Sequence, residues 1–127
     1  MTNKQNKFTL KDLDKLNFHD STVKSIKFGK KNLSSIVFEI DYITNKTLTS
    51  EGMYKFTTTN ANLEFTGVLN LKIEINFTKF AASDLTIDKI KQNKTKKGLF
   101  FNIDLLIGTE HGEISFYADD LSLKLAK

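Results

Sequence analysis

Alternation of apolar and polar residues constrains the fold of this chain more than any other feature. In residues 33–43, Ile36, Phe38, Ile40 and Tyr42 face one way, with Glu39 and Asp41 opposite. A period of two places successive side chains on opposite faces of a strand, so this pattern predicts a half-buried antiparallel strand. Segment 63–77 also alternates, with a break at Gly67 that fits a bent strand or two consecutive strands, and segment 99–107 is apolar on both faces, as a central strand would be.

Shorter segments extend this interpretation to most of the chain. Residues 23–28 predict a strand with a bulge near its start, and further strands are predicted at 53–59, 113–118 and 121–125. Residues 79–93 fit either a strand or a short helix, and we favour the strand. The expected fold is mainly β, with about eight antiparallel strands in a sandwich or a curved half-barrel.

A few segments fall outside the strand pattern. Residues 9–17 predict a short helix, because a threonine and an aspartate stand at capping-box spacing and leucines follow at helical spacing. We expect residues 1–7 to be a disordered tail and residues 44–52 to be a loop. The whole chain, 1–127, is expected to be one domain, since its length suits a single domain and no linker or repeat interrupts it.

The composition narrows the class of partner. All 19 basic residues are lysine, and the formal net charge is +4. Without arginine the chain lacks the planar group that binds phosphate or guanine at two points, so nucleic-acid binding is not expected. The absence of cysteine fits a reducing compartment. No apolar run reaches the roughly 20 residues of a membrane helix, so we expect a cytoplasmic protein without membrane contact.

The two histidines each have an acidic neighbour, in His19-Asp20 and in Glu110-His111. If the two turns met, they would form a set suited to metal binding or to acid–base catalysis. Adjacent residues on a strand point to opposite faces, however, and the sequence has neither a nucleophile elbow nor a phosphate loop. We therefore predict no catalytic residue, metal site or cofactor, and a small enzyme built on these four residues is the alternative.

Two short motifs resemble a known group of proteins. The first is Phe18-His19-Asp20-Ser21 followed by Val23 and Ile26, and the second, at 112–121, reads G-x-I-x-F-x-A-x-D-L. Both are similar to motifs of small bacterial β-rich proteins in which a short helix leads into a β-meander. Members of this group include immunity proteins of polymorphic or contact-dependent toxin systems, of the Imm50 and YxiG-like kind. The resemblance implies toxin neutralisation and carries over no catalytic residue.

The leading functional prediction is a non-enzymatic domain that binds a protein, such as a cognate toxin. An inhibitor of a basic nuclease is usually acidic, whereas this chain is basic, so either the target is not a nuclease or the acidic segments form the binding face. A structural or oligomerisation domain, monomeric or homodimeric, is a further alternative. The residues expected to contact a partner are Glu39, Asp41, Glu110, His111, Glu113, Asp119 and Asp120, together with the candidate motif Phe18, His19, Asp20 and Ser21.

Overall fold

A computed structural model describes residues 6–29, 34–76 and 85–126, which form one open antiparallel sheet and one short 3₁₀ helix. The order of strands across the sheet is β1-β9-β4-β3-β2-β6-β7-β8-β5. The predicted antiparallel, mainly β fold is therefore confirmed. The elements are β1 (Lys7–Thr9), the 3₁₀ helix (Leu10–Lys15), β2 (Ser21–Phe28), β3 (Ile36–Leu48), β4 (Tyr54–Thr66), β5 (Leu69–Glu74), β6 (Leu85–Thr95), β7 (Gly98–Ile107), β8 (Glu110–Ala118) and β9 (Asp120–Leu125).

Parts of the alternating segments supply much of the core. Every second residue is buried in β3 from 36 to 42 and in β7 from 101 to 107, whereas β5 is mostly exposed. The expected bulge in β2 lies between Val23 and Ser25, where the register with β3 shifts. The buried residues of the two alternating strands are Ile36, Phe38, Ile40 and Tyr42 on β3, and Phe101, Ile103, Leu105 and Ile107 on β7.

The sheet curls on itself, so that its two halves enclose this core. In a flat sheet β4 and β7 would lie about 19 Å apart, because four strand spacings separate them. The ring of Phe65 on β4 nevertheless lies 5.0 Å from that of Phe101 on β7 and 4.8 Å from that of Phe116 on β8, centroid to centroid. Within the described residues the halves are joined by a narrow seam of two pairs between β2 and β6, at 21–87 and 22–86.

The predicted segments near the N-terminus and at 79–93 have clear outcomes where the structure describes them. The predicted helix at 9–17 is a 3₁₀ helix, whose first turn is fixed by Asp12 accepting the backbone N–H of Thr9 at 2.9 Å. Lys7 pairs with Lys124 in the sheet, and residues 1–5 lie outside the described part. Residues 85–93 belong to a strand, as favoured, whereas 79–84 lie outside the described part.

The loop predicted at 44–52 is wrong over 44–48, whereas 49–52 form a turn, as predicted. Strand β3 continues to Leu48 and β4 begins at Tyr54, so the segments predicted as separate strands at 53–59 and from 63 form one strand of 13 residues. The apolar alternation ends near Ile43, and beyond it the two strands pair only with each other within the described residues. We call residues 43–58 the hairpin arm. In the described part of the chain, no helix has the length and apolar character needed to cross a membrane.

Candidate functional site

The Phe18-His19-Asp20-Ser21 motif forms the turn that starts β2. Phe18 is buried and packs edge-on against Tyr42, with ring centroids 5.6 Å apart. The backbone N–H of Ser21 donates to the carbonyl of Phe18 at 3.0 Å. Asp20 has φ +67°, a left-handed conformation that aspartate tolerates better than most residues. Its N–H donates to the carbonyl of Ile87 at 2.9 Å, which ties the turn to β6.

His19 points from this turn to two carboxylates. Its Nδ1 lies 3.1 Å from Oδ1 of Asp88 and 3.2 Å from the carbonyl oxygen of the same residue. Its Nε2 lies 3.5 Å from Oδ2 of Asp20. Asp88 is the extra residue where the register of β6 with β7 shifts between Ile87 and Lys89. This bulge turns Asp88 towards His19. The turn before β2 therefore contacts the outer face of β6.

Beyond the bulge, charged residues stand in one row across four strands. Lys89 on β6 is opposite Asp104 on β7, Asp104 is opposite Glu113 on β8, and Glu113 is opposite Glu74 on β5. Residues directly opposite in an antiparallel sheet have Cβ atoms about 4.5–5.5 Å apart, and like charges in that position destabilise the pairing. The row therefore holds three carboxylates at an electrostatic cost.

This row borders a pocket of about 400 Å³. Lys91 Nζ lies 3.4 Å from Oδ2 of Asp104, and Lys72 Nζ lies 3.6 Å from Oε1 of Glu74. Within the described ranges, no lysine or histidine pairs with Glu113. We call the cavity the acidic pocket, and its lining residues are Glu74, Asp88, Lys89, Asp104, His111, Gly112 and Glu113.

A second row of cross-strand pairs connects several of the predicted partner contacts. Asp41 on β3 is opposite Thr22, Thr22 is opposite Thr86, Thr86 is opposite Leu106, and Leu106 is opposite His111 on β8. Four strand spacings make this row about 19 Å long measured along the sheet. We call it the end row. It shows that Asp41, the turn before β2 and His111 share one end of the sheet.

The other predicted contacts lie elsewhere or already have partners. Asp119 lies between β8 and β9, and Asp120 is the first residue of β9, so both are about 30 Å along the sheet from Glu110. Asp119 packs against Gly67, where a Cβ atom would collide with its carboxylate. Glu39 accepts a hydrogen bond from Ser25 Oγ at 3.2 Å. The acidic segment 110–120 is thus divided, and only its beginning borders the acidic pocket.

Sequence reasoning missed Glu74, Asp88 and Asp104, which complete the acidic pocket. Asp104 could have been selected from the sequence, because it is a charged residue inside the most apolar strand segment of the chain. Asp88 lay in the segment whose secondary structure was ambiguous. Glu74 and Glu113 are far apart in sequence and meet only through the register of β5 with β8.

The two histidine turns do approach a common residue, since His19 contacts Asp88 and His111 lines the acidic pocket with it. Among residues 6–29, 34–76 and 85–126, no three His, Asp or Glu side chains are arranged to hold a metal ion. The enzyme alternative built on these turns stays a prediction. No known protein-family profile matches the chain, and no curated protein matches it.

Proposed function

We propose that this chain is a non-enzymatic protein-binding domain that acts in the cytoplasm and holds a lysine or arginine of its partner in the acidic pocket. The observation that carries the proposal is the row of three facing carboxylates, Asp104, Glu113 and Glu74, of which the central one pairs with no cation among the described residues. A cationic side chain of a partner would offset their mutual repulsion, so the charges that destabilise the free sheet would favour the complex.

The net charge of the whole chain does not favour a basic partner, so the carboxylates of the acidic pocket must do so. The formal net charge is +4, so long-range attraction alone would not bring a basic protein to this surface. The carboxylates of the acidic pocket instead act at short range, where paired charges determine the register of an interface and exclude other partners. Recognition of a basic partner by this chain therefore depends on one surface.

The identity of the partner as a toxin is supported by the resemblance of residues 18–26 and 112–121 to motifs of immunity proteins. The turn formed by the first motif also positions His19 against Asp88, so it builds part of the acidic pocket wall. The proposed partner is a bacterial toxin with an exposed lysine or arginine at the surface that the chain covers.

Co-expression tests the proposal. The chain is produced together with the toxin encoded directly beside its gene, and the survival of the cells is measured. We expect Glu113→Lys to abolish protection. Glu113→Gln should weaken the affinity for the toxin by at least tenfold, since truncating one partner of a charge pair that is buried in the complex costs about 2–5 kcal/mol.

Asp14→Asn is the matched control, because it removes one carboxylate from an exposed position on the 3₁₀ helix. It should protect as well as the wild type does. Absence of protection by the wild type, or full protection by Glu113→Lys, would contradict the proposal.

A further inference from the structure

The hairpin arm extends beyond the rest of the sheet. Strand β2 pairs with β3 only as far as Asp41, and β9 pairs with β4 from Ala61 onward. Between Ile43 and Leu48 the arm is a two-stranded ribbon about 17 Å long, with no third strand beside it in the described part of the chain. A two-stranded hairpin is at best marginally stable in water. The arm therefore extends from the sheet without a third strand to stabilise it.

The tip of the arm is ordered and apolar. Leu48 is 60% exposed and Met53 is 69% exposed. Three hydrogen bonds close the turn between them: Thr49 N–H to the Met53 carbonyl at 2.7 Å, Gly52 N–H to the Thr49 carbonyl at 3.1 Å, and Met53 N–H to Thr49 Oγ1 at 3.2 Å. The turn therefore presents two exposed apolar side chains at the tip of the arm.

The arm rises from the same end of the sheet as the acidic pocket. Asp41, at its base, is the first residue of the end row, and His111, which lines the acidic pocket, is the last. A partner seated over the acidic pocket therefore has the base of the arm at the same end of the sheet, four strands away in the strand order.

The size of the arm indicates that it does not bind alone. One face of the ribbon measures roughly 17 Å by 10 Å, or about 170 Å², whereas a stable interface takes about 800 Å² from each partner. The buried area reaches that of a stable interface only when the end row and the acidic pocket are included with the arm.

The charge of this combined surface decides which partner fits it. A second copy would bring the same carboxylates, Asp88 and Glu113 among them, against each other, whereas a basic protein would pair with them.

We propose that the hairpin arm and the acidic pocket form one interface, in which the arm inserts Leu48 and Met53 into an apolar cleft of the basic protein whose cation fills the pocket. This inference rests on the proposed function and adds the apolar contacts of Leu48 and Met53 to the interface. The partner is therefore a folded basic protein with a hydrophobic cleft on the same surface as its critical lysine or arginine.

Photo-crosslinking in the cells that produce the protein tests this geometry and itself identifies the partner. p-Benzoylphenylalanine is placed singly at position 48 on the arm, at 89 on the rim of the acidic pocket, or at 28. Phe28 is the matched control, because it is 55% exposed and lies at the opposite end of β2. We expect positions 48 and 89 to crosslink to the same basic protein, identified by mass spectrometry, and position 28 not to do so.

Two second-site variants complete the experiment. Leu48→Asp should lower the crosslinking yield from position 89 at least tenfold, and Glu113→Lys should do the same from position 48, whereas Phe28→Asp should change neither. Crosslinking at 89 but none at 48 would overturn the role of the arm and leave the proposed function standing. A second copy or a different protein at 48 would also overturn it. If 89 captures no protein, the proposed function fails, and this inference fails with it.

Discussion

Asp20 combines an unusual backbone conformation with a position at the seam between the halves of the sheet. Its φ of +67° disfavours residues with branched side chains, at a cost of about 1–2 kcal/mol. We expect Asp20→Val to lower the free energy of unfolding by about this amount, as measured by urea denaturation. Asp20→Gly adopts positive φ freely and should fold with at most a small loss. Equal stability of the two variants would refute the backbone explanation.

Ser21, the next residue, is fully buried, and its hydroxyl has no hydrogen-bond partner within the described residues. An unsatisfied buried hydroxyl costs about 1–3 kcal/mol. Ser21→Ala should therefore raise the urea midpoint, which corresponds to about 1 kcal/mol of added stability. Ser25→Ala is the comparison, since it removes a hydroxyl that donates to Glu39 and should be neutral or slightly destabilising. A lower urea midpoint for Ser21→Ala would show that the hydroxyl stabilises the folded protein.

Glu113 is expected to lower stability while favouring binding. Facing like charges on neighbouring strands cost roughly 0.2–1 kcal/mol per pair, and Glu113 has one on each side. Glu113→Gln should therefore raise the melting temperature at low salt, and the gain should shrink as salt screens the carboxylates. Asp14→Asn should leave the melting temperature unchanged. A destabilised Glu113→Gln variant would mean that the carboxylate is already compensated within the chain.

Among the elements, the hairpin arm should be the least protected. Its two strands pair only with each other within the described residues, so its backbone hydrogen bonds should open locally. We expect amides of 44–58 to exchange with deuterium at least tenfold faster than those of β3 residues 36–42, as measured by mass spectrometry. Shortening the arm symmetrically, by removing 45–47 and 55–57, should change the free energy of unfolding by less than about 1 kcal/mol. Global unfolding of the shortened chain would contradict this.

Strand identity was predictable where burial follows a period of two, and it was not predictable where burial is absent. Strands β3 and β7 alternate because each packs one face on the core, and this pattern can be read directly from the sequence. In the arm, the strand at 53–59 was predicted, whereas 44–48 was assigned to a loop, because residues 44–47 are all polar and show no alternation. The acidic pocket could be predicted only in part: His111 and Glu113 were selected, whereas Glu74 joins them through strand register, which no local pattern specifies.

At the scale of the whole molecule, Phe65 joins the two halves across the core. It is fully buried and its ring contacts those of Phe38, Phe101 and Phe116. Phe65→Ala should cost about 3–5 kcal/mol in the free energy of unfolding, measured by urea denaturation, because the seam between β2 and β6 adds few pairs of its own. Phe28→Ala, at an exposed position, should cost less than about 0.5 kcal/mol. Similar values for both variants would show that the halves are held together by something other than this cluster.

The position of β9 has a consequence for the synthesis of the chain. Strand β9 lies between β1 and β4, yet residues 67–119 separate it from β4 in sequence. At the usual translation rate of about 5–20 residues per second, that interval takes roughly 3–10 s. Throughout it, a nascent chain carries a completed β3–β4 hairpin whose outer edge has no neighbour, and an open edge is a template for pairing with other chains. Crowded polysomes should therefore be where this protein most readily aggregates, and a chaperone that shields strand edges would improve its yield.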